Sequence, residues 1–349
     1  MRNPNITELF AAQSVGNVAG IDPCAPATLQ PGITFEQCAR TGVTQAQWDN
    51  MSIPDCPARV CSGLGGGNPN LFAETGKTTT YGIVFTPSAI PTLAVSLDYY
   101  KIRIEDYIGS ISPTLSLSQC ISTGDPYFCN LINRDPATGA IFGYNTDGGY
   151  ITNTNLNTGY LETKGYDISA SYTLPLSTFF ERDYGSVAFS MIGTYLKSLE
   201  TESVPGLGSY DCKGLYGPVC GQPAPEWRHS IRATWSTPWT DAAYLPASVS
   251  LNWRHIGEVG LASNTGKPFL TGTRSVIDQK IPAIGYIDVA TTFNLPRNFV
   301  LRAGINNLMD VAPPSVMDGL LVENGNGNTY PGTYEALGRM LFVGVSAKF

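Results

Sequence analysis

The 349-residue chain contains few charged residues. Lysine, arginine, aspartate and glutamate make up 14% of it, against about 25% in a typical soluble domain. Its formal net charge is −7, whereas a protein that binds a phosphate backbone needs a basic surface. We therefore expect no nucleic-acid partner.

Long apolar runs are also absent. No stretch reaches the roughly 18 to 20 consecutive apolar residues that a membrane-spanning helix requires, which excludes a helical membrane protein. The start of the chain, Met1 to Asn5, lacks the apolar core of a signal peptide. Either Met1 is a cloning boundary or the chain belongs to a longer precursor whose signal peptide and early domains lie upstream.

In place of long runs the sequence has short segments in which apolar and polar residues alternate with period two. This period is typical of β-strands with two different faces. The sequence predicts an all-β antiparallel protein with nine strands, at about 77–86, 92–106, 160–174, 185–200, 226–237, 247–255, 281–295, 298–306 and 341–349.

One face of each predicted strand is apolar, and the other is small or hydrophilic. In the fifth strand Trp227, Ile231 and Trp235 alternate with Arg228 and Arg232. A soluble core would not place arginine on its inner face. The pattern is typical of a transmembrane β-barrel, which is apolar outside and wet inside.

The connections between the predicted strands alternate in length. They are short at 87–91 and 175–184, and long at 109–150 and 203–225. Outer-membrane barrels have short periplasmic turns and long extracellular loops. We therefore expect the long connections to lie outside the cell.

Short motifs near the end of the chain occur in a recognisable order. They are Leu301-Arg302-Ala303-Gly304-Ile305-Asn306-Asn307-Leu308-Met309-Asp310, then Pro313-Pro314, then Tyr334-Glu335-Ala336-Leu337-Gly338-Arg339, and terminal Phe349. This ending resembles the C-terminus of TonB-dependent receptors of the bacterial outer membrane, which more often have Phe at the position of Met309. Residues 2–10 and 81–100 resemble earlier parts of the same barrel, so the resemblance covers nearly the whole chain.

The resemblance implies an outer-membrane receptor that captures a scarce nutrient and imports it with energy from the TonB system. An iron chelate such as a siderophore complex, cobalamin, a saccharide and a peptide all stay open as ligands. The family's plug domain and energy-coupling box precede the barrel, and no stretch of this chain matches either. The other implied partners are outer-membrane lipid and the barrel-assembly machinery, for which Phe349 would be the C-terminal signal.

The same resemblance gives a domain interpretation. Residues 77–349 would be the C-terminal strands, about nine of the roughly 22 in a complete transporter barrel. Residues 1–76 would be a long extracellular loop with cysteines and no convincing strand, in which the glycine run 63–67 is a flexible loop. Plug domain and signal peptide would be absent.

Eight cysteines fall in close pairs inside the expected extracellular loops. Proximity suggests the pairs Cys24 with Cys38, Cys56 with Cys61, Cys120 with Cys129, and Cys212 with Cys220, although eight cysteines allow 105 connectivities. Disulfides persist outside the cell. A structural zinc site is disfavoured, because the Cys-x-x-Cys spacing is missing and the chain has only two histidines.

The remaining candidate residues lie on the predicted strands. Arg228, Arg232, Arg254 and Arg302 fall on the wet faces, where they would contact an anionic ligand or simply be solvated. His229 and His255 fall beside tryptophans on the apolar faces, which favours an interfacial aromatic girdle over a metal site. We find no catalytic constellation, so we expect neither enzyme activity nor a cofactor.

A second interpretation is a secreted, soluble all-β binding protein. It would be a sandwich with disulfide-tied loops, and it would also use alternating strands. Its apolar faces would then be covered by a second sheet rather than by lipid.

Overall fold

The structure is a computed structural model that describes residues 1–29, 31–143, 148–204, 208–238, 245–270, 272, 274–317, 320–321 and 327–347. Helices are short and lie outside the long strands. They are α1 (Ile6–Phe10), α2 (Phe35–Ala39), α3 (Gln45–Asp49), α4 (Pro113–Thr123) and α5 (Pro126–Cys129), with single 3₁₀ turns at Pro57–Arg59, Leu176–Thr178 and Ala262–Asn264. In this described part, no helix has both the length and the apolar character needed to cross a membrane.

Strands make up most of the regular structure. The first ten are β1 (Ser14–Ala19), β2 (Val60–Gly65), β3 (Thr75–Phe85), β4 (Ala94–Glu105), β5 (Ile108–Gly109), β6 (Ile132–Asn133), β7 (Tyr150–Thr152), β8 (Leu156–Asn157), β9 (Tyr160–Pro175) and β10 (Ser186–Glu202). The others are β11 (Tyr210–Asp211), β12 (Leu215–Tyr216), β13 (Trp227–Ser236), β14 (Pro246–Ile256), β15 (Val259–Leu261), β16 (Lys280–Ile281), β17 (Ile284–Leu295), β18 (Phe299–Asn306) and β19 (Met340–Ala347).

The long strands form one antiparallel sheet. Its order is β19-β18-β17-β14-β13-β10-β9-β4-β3, with β11 paired to the end of β10. Each strand in this order pairs with its predecessor among the long strands, as in an up-and-down barrel wall. The nine predicted strands and their antiparallel arrangement are confirmed, because strict alternation fixes both the period and the face of each strand.

The sheet has one exposed apolar face, here called the outer face. Leu341 and Val343 of β19 are 76% and 73% exposed, and Leu251 of β14 is 49% exposed. The opposite, inner face carries Ser, Thr, Asn, Asp and Arg. An antiparallel sheet in water would bury its apolar face instead.

Most fully buried residues lie in the connections at one end of the sheet. One core cluster joins Cys56 and Cys61 of the first segment to Ile111, Leu115 and Cys120 of the segment after β4. A second cluster packs Tyr216, Tyr330 and Tyr334, from two other connections, against one another. The long connections therefore fold into a packed cap on the sheet.

All eight cysteines form disulfides in this cap. The bonds join Cys24 to Cys38, Cys56 to Cys61, Cys120 to Cys129, and Cys212 to Cys220. Each bond closes a short stretch of one connection, and Cys38, Cys61 and Cys120 are fully buried.

The first 74 residues differ from the expectation of a strandless loop. Strand β1 pairs with β2, and β2 pairs in parallel with β7, which is contributed by the next long connection. The prediction was wrong because the partner strand is remote in sequence and the segment is rich in glycine. Gly63 lies in β2, where a Cβ atom would be only 2.5 Å from Val18 Cγ1, so glycine here serves close packing rather than flexibility.

Candidate ligand-binding surface

An aromatic row runs across the outer face at the end nearest the cap. The strand register places five aromatic residues opposite one another: Tyr81, Tyr99, Tyr166, Tyr195 and Trp227. Neighbouring tyrosine rings have centroids 5.4 to 6.5 Å apart. Trp235 lies at the other end of β13, eight residues and about 27 Å along the strand from Trp227. At the strand tilt of roughly 35–45° in outer-membrane barrels this spans about 20 Å of height, close to their roughly 25 Å apolar band.

The two histidines extend this row. His229 and His255 face each other across β13 and β14, with ring centroids 5.1 Å apart. Trp227 Nε1 donates a hydrogen bond to His229 Nδ1 at 2.8 Å, and the Trp253 ring lies 4.5 Å from the His229 ring. This packing supports the aromatic-girdle interpretation. Among the described residues, no group of three or more His, Cys, Asp or Glu side chains is placed to hold a metal ion.

A polar row crosses the inner face at nearly the same height. Asp98 lies directly opposite Asp167, Asp167 opposite Thr194, and Thr194 opposite Arg228. The Thr194 hydroxyl donates to Asp167 Oδ1 at 2.8 Å. The row thus has two carboxylates at one end and a guanidinium at the other.

Arg228 also lines a pocket under the connection between β10 and β13. The pocket has a volume of about 220 Å³, and Tyr100, Thr163, Thr194 and Pro225 are among its other lining residues. The Tyr100 hydroxyl reaches over Gly165, where a Cβ atom would be 2.4 Å from it. This inner pocket offers a cation, hydroxyl groups and an aromatic ring to a ligand.

Arg254 has a different environment. It makes a bidentate ion pair with Asp288, at 2.8 and 2.9 Å, and its Nη1 is 2.6 Å from Glu335 Oε1. Asp288 also accepts hydrogen bonds from the Asn252 side chain and the Asn307 backbone. Arg254 is therefore held in a structural network, and its donors are largely occupied.

The four arginines are not brought together. Arg228 and Arg254 lie near the cap. Arg232 lies four residues, or about 14 Å, further along β13, and Arg302 lies opposite Thr292 close to the short turn between β17 and β18. Arg228, Arg232 and Arg302 are exposed. Their role as ligand contacts stays a prediction, and Phe349 lies outside the described residues.

A second pocket lies within the cap, between the first segment, α4 and the connection after β15. Its volume is about 220 Å³. The walls are mostly aliphatic, from Ile21, Ile33, Leu117, Ile121 and Leu270, and the polar lining groups include Thr114, Ser118, Ser263 and Arg274. Arg274 is exposed and has no hydrogen-bonded or ionic partner in the described ranges. We call this the cap pocket.

Sequence reasoning missed several residues of these sites. The inner-face position of Tyr100 could have been predicted from strand alternation alone, since Tyr100 is two residues beyond Asp98 on the polar face of β4. Asp288 had the same signal, since it lies between Ile287 and Val289 in a predicted strand, whereas Arg274 and Glu335 had none. Arg274 lies in an irregular connection, and Asp288 and Glu335 meet Arg254 only through the register of β14 with β17 and the course of the last long connection.

A large antiparallel sheet with an exposed apolar outer face and a polar inner face defines the wall of an outer-membrane type of β-barrel. The family model described as TonB dependent receptor-like, beta-barrel matches residues 1–308. The chain belongs to this family. No curated protein sequence matches it.

Solved structures give a weaker likeness. A mutant of the ferric enterobactin receptor PfeA from Pseudomonas aeruginosa is 16% identical, with a TM-score of 0.49 over 83% of this chain and 33% of that one. The siderophore receptor PirA from Acinetobacter baumannii is 15% identical, with a TM-score of 0.43 over 84% and 34%. The FrpB iron transporter from Neisseria meningitidis, F5-1 variant, is 14% identical, with a TM-score of 0.46 over 82% and 33%. The chain thus spans about a third of each of these proteins.

Proposed function

We propose that this chain forms part of the barrel of an outer-membrane receptor that takes up a scarce nutrient with energy from the TonB system. The observation that carries the proposal is the two-faced sheet of a TonB-dependent receptor family member, with its cap at one end. The cap would lie outside the cell, where its four disulfides would persist. The energy-coupling segment and the plug would be supplied outside this chain.

The outer face supports a lipid environment over a soluble sandwich. A sandwich covers each apolar face with a second sheet about 10 Å away. Leu251, Leu341 and Val343 are instead exposed, and no second layer covers this face within the described residues. An aromatic row at one end and Trp235 at the other fit the two interfaces of a bilayer.

The two pockets support ligand capture on the cap side. Each contains an exposed guanidinium, Arg228 in the inner pocket and Arg274 in the cap pocket. A guanidinium matches a carboxylate or phosphate with two parallel hydrogen bonds. We propose that the ligand carries an anionic group and a compact apolar part, a description that suits some iron chelates and peptides better than a neutral saccharide.

Uptake by living cells tests the proposal. Cells expressing the intact protein would be offered an iron chelate, cobalamin, a saccharide and a peptide, with the TonB system active or inactivated. We expect import of one ligand class that stops when TonB is inactive. Import that continues without TonB, or no specific import of any ligand, would contradict the proposed function.

Two matched variants test the inner pocket. Arg228→Gln should weaken binding of the imported ligand by roughly 10-fold or more, because a hydrogen bond to a charged group contributes about 1.5–3 kcal/mol. Arg182→Gln, an exposed arginine in the short turn between β9 and β10 at the opposite end of the sheet, should leave affinity unchanged. Equal losses of ligand affinity in both variants would show that Arg228 does not contact the ligand.

A further inference from the structure

The polar row of the inner face holds unlike charges that do not pair with each other. Asp98 and Asp167 lie at one end of the row, and Arg228 lies at the other. Thr194 lies between the two ends and donates its hydroxyl hydrogen to Asp167 at 2.8 Å. None of the three charged side chains makes an ion pair with a residue that the structure describes. The row therefore presents an open negative end and an open positive end.

The positive end of the row lacks a counter-charge because the nearest acidic residue along the chain is already engaged. Glu226 lies two residues before Arg228, and its carboxylate is 3.2 Å from Lys213 Nζ in the preceding connection. Arg228 itself is exposed. A guanidinium has five N–H donors in a fixed fork, so Arg228 keeps the donors that a carboxylate needs.

The two carboxylates at the negative end lean away from each other. The Asp98 carboxylate lies over Gly82 of β3, where the Cβ atom of any other residue would collide with it. Asp167 turns the other way, towards Thr194 of β10. Like charges directly opposite one another on neighbouring strands destabilise a sheet, and the glycine allows these two to separate. The gap between them has carboxylate oxygens on both sides and is complementary to a cation.

The middle of the row opens onto the inner pocket, because Thr194 belongs to both. Tyr100, Leu196 and Pro225 supply apolar parts of the pocket wall. The volume of about 220 Å³ admits a small apolar side chain. The Thr194 hydroxyl donates to Asp167, and its oxygen can still accept a hydrogen bond from a peptide N–H. The middle of the row therefore suits the central part of a short peptide.

The spacing of the strands sets the length of a ligand that reaches both ends. Strand β10 lies between β9 and β13 in the sheet. Neighbouring strands are about 4.8 Å apart, so Asp167 and Arg228 are separated by about 10 Å across the sheet. An extended chain spans about 3.3–3.6 Å per residue, and three residues therefore cover a similar distance. The terminal ammonium and carboxylate of a tripeptide match the two ends of the row.

We propose that the polar row binds a short zwitterionic peptide. Its α-ammonium group lies between Asp98 and Asp167, and its α-carboxylate accepts two parallel hydrogen bonds from Arg228. The central side chain enters the inner pocket. The inference rests on the proposed function and narrows its ligand class, because it requires the inner face to line the path of the imported ligand.

The first test changes the peptide and leaves the protein unmodified. Calorimetry with the purified intact protein in detergent measures its affinity for glycyl-leucyl-glycine and for the same peptide acetylated, amidated or blocked at both ends. The free tripeptide should bind. Acetylation and amidation should each weaken binding roughly 10-fold or more, because each removes a hydrogen-bonded charge. Equal affinity for the four peptides, or no binding of any of them, would overturn the inference.

The second test assigns each end of the peptide to one end of the row. The double variant Asp98→Asn/Asp167→Asn should lose roughly 10-fold in affinity for the free tripeptide, change little for the acetylated one, and keep the full penalty of amidation. Arg228→Gln should show the reverse pattern. Glu181→Gln, an exposed carboxylate in the turn after β9, is the control and should bind all four peptides as the unmodified protein does. Equal losses for all four peptides in the row variants would assign these charges to the structure of the wall and overturn the inference.

Failure of the proposed function gives a different result. Cells that import no ligand class in a TonB-dependent way would contradict the proposed function itself. Cells that import an iron chelate, cobalamin or a saccharide with TonB, while the purified protein does not distinguish the four peptides, would overturn the peptide site alone.

Discussion

Asp22 and Arg134 lie 112 residues apart in sequence and form a bidentate ion pair inside the cap, with Arg134 Nη1 2.5 Å from Asp22 Oδ2 and Nη2 2.9 Å from Oδ1. Their side chains are 0% and 2% exposed. Arg134 also donates to Thr41 Oγ1 and to the Gly139 carbonyl, and Asp22 accepts from the Cys24 backbone. Every charge in the pair is thus matched, and the pair joins the first segment to the connection after β4.

Asp22→Asn should destabilise the cap strongly. It leaves the buried Arg134 guanidinium without a counter-charge, and breaking a buried ion pair in this way costs about 3–5 kcal/mol. Hydrogen exchange of the intact protein should show lost protection in α2, α4 and β2, with the long strands of the sheet unchanged. Glu258→Gln, which breaks the exposed Lys280–Glu258 pair, should cost at most about 1 kcal/mol. Similar losses in the two variants would contradict this assignment.

The sheet and the four disulfide pairs were predictable from sequence, whereas the packing of the cap was not. Alternation is a local signal, so Trp227, Arg228 and Ile231 reveal strand, faces and period without knowledge of any neighbour. The Asp22–Arg134 pair and the β2–β7 pairing depend on contacts between distant segments of irregular sequence. No local sequence pattern indicates these long-range contacts. Considered alone, the glycines of β2 suggest a flexible loop.

The candidate sites were likewise predictable from sequence only in part. The alternation of side chains along each strand placed Arg228 and Arg254 on the inner face. It could not show that the donors of Arg254 are taken up by Asp288 and Glu335. It also put Tyr81, Tyr99 and Tyr166 on apolar faces without showing that they align. Only the register between strands turns separate positions into a row or a pocket.

The outer face should reject charge in a depth-dependent way. Leu251 lies at the middle of β14 and is 49% exposed on this face. Leu251→Arg should therefore cost about 2–4 kcal/mol of folding free energy in lipid. Ser250→Arg, one residue away on the inner face, should cost much less. The comparison is made by folding titrations of the intact protein in lipid vesicles, and equal penalties at the two positions would rule out a lipid-facing outer surface.

The attachment of the N-terminal segment should weaken in acid. Arg2 and Glu74 exchange backbone hydrogen bonds, and the Arg2 guanidinium makes two contacts with the Glu74 carboxylate, at 2.7 and 2.8 Å. The ion pair with Arg2, assisted by the Ile108 backbone N–H, holds the pKa of the Glu74 carboxyl below its ordinary value. A depressed native pKa contributes stability above the unfolded pKa of about 4.3, and this stability is lost as the pH falls through the native value.

Limited proteolysis or hydrogen exchange at decreasing pH measures this effect. Residues 1–10 should lose protection below about pH 4 in the unmodified protein. Glu74→Gln should lower their protection at neutral pH and remove most of the acid dependence. Glu181→Gln, an exposed carboxylate in the turn after β9, is the control and should keep the normal profile. An acid transition that persists in Glu74→Gln would assign the effect to another group.

The two terminal strands of the sheet should require further strands. Within the described residues, β3 and β19 each have one long neighbour in the sheet order, so there the other edge of each presents backbone N–H and C=O groups without a strand partner. Open edges are not tolerated in hydrocarbon, where each unsatisfied group costs several kcal/mol. We expect residues 1–349, exported alone with a signal peptide, to aggregate or stay outside the membrane, and to insert when the missing strands are supplied in one polypeptide or as a complementing fragment.

Heat-modifiable gel mobility, membrane fractionation and ligand uptake would be compared with the intact receptor. A folded, heat-modifiable species of the isolated chain that imports a ligand in an energy-dependent way would show that the two edges are satisfied without additional strands.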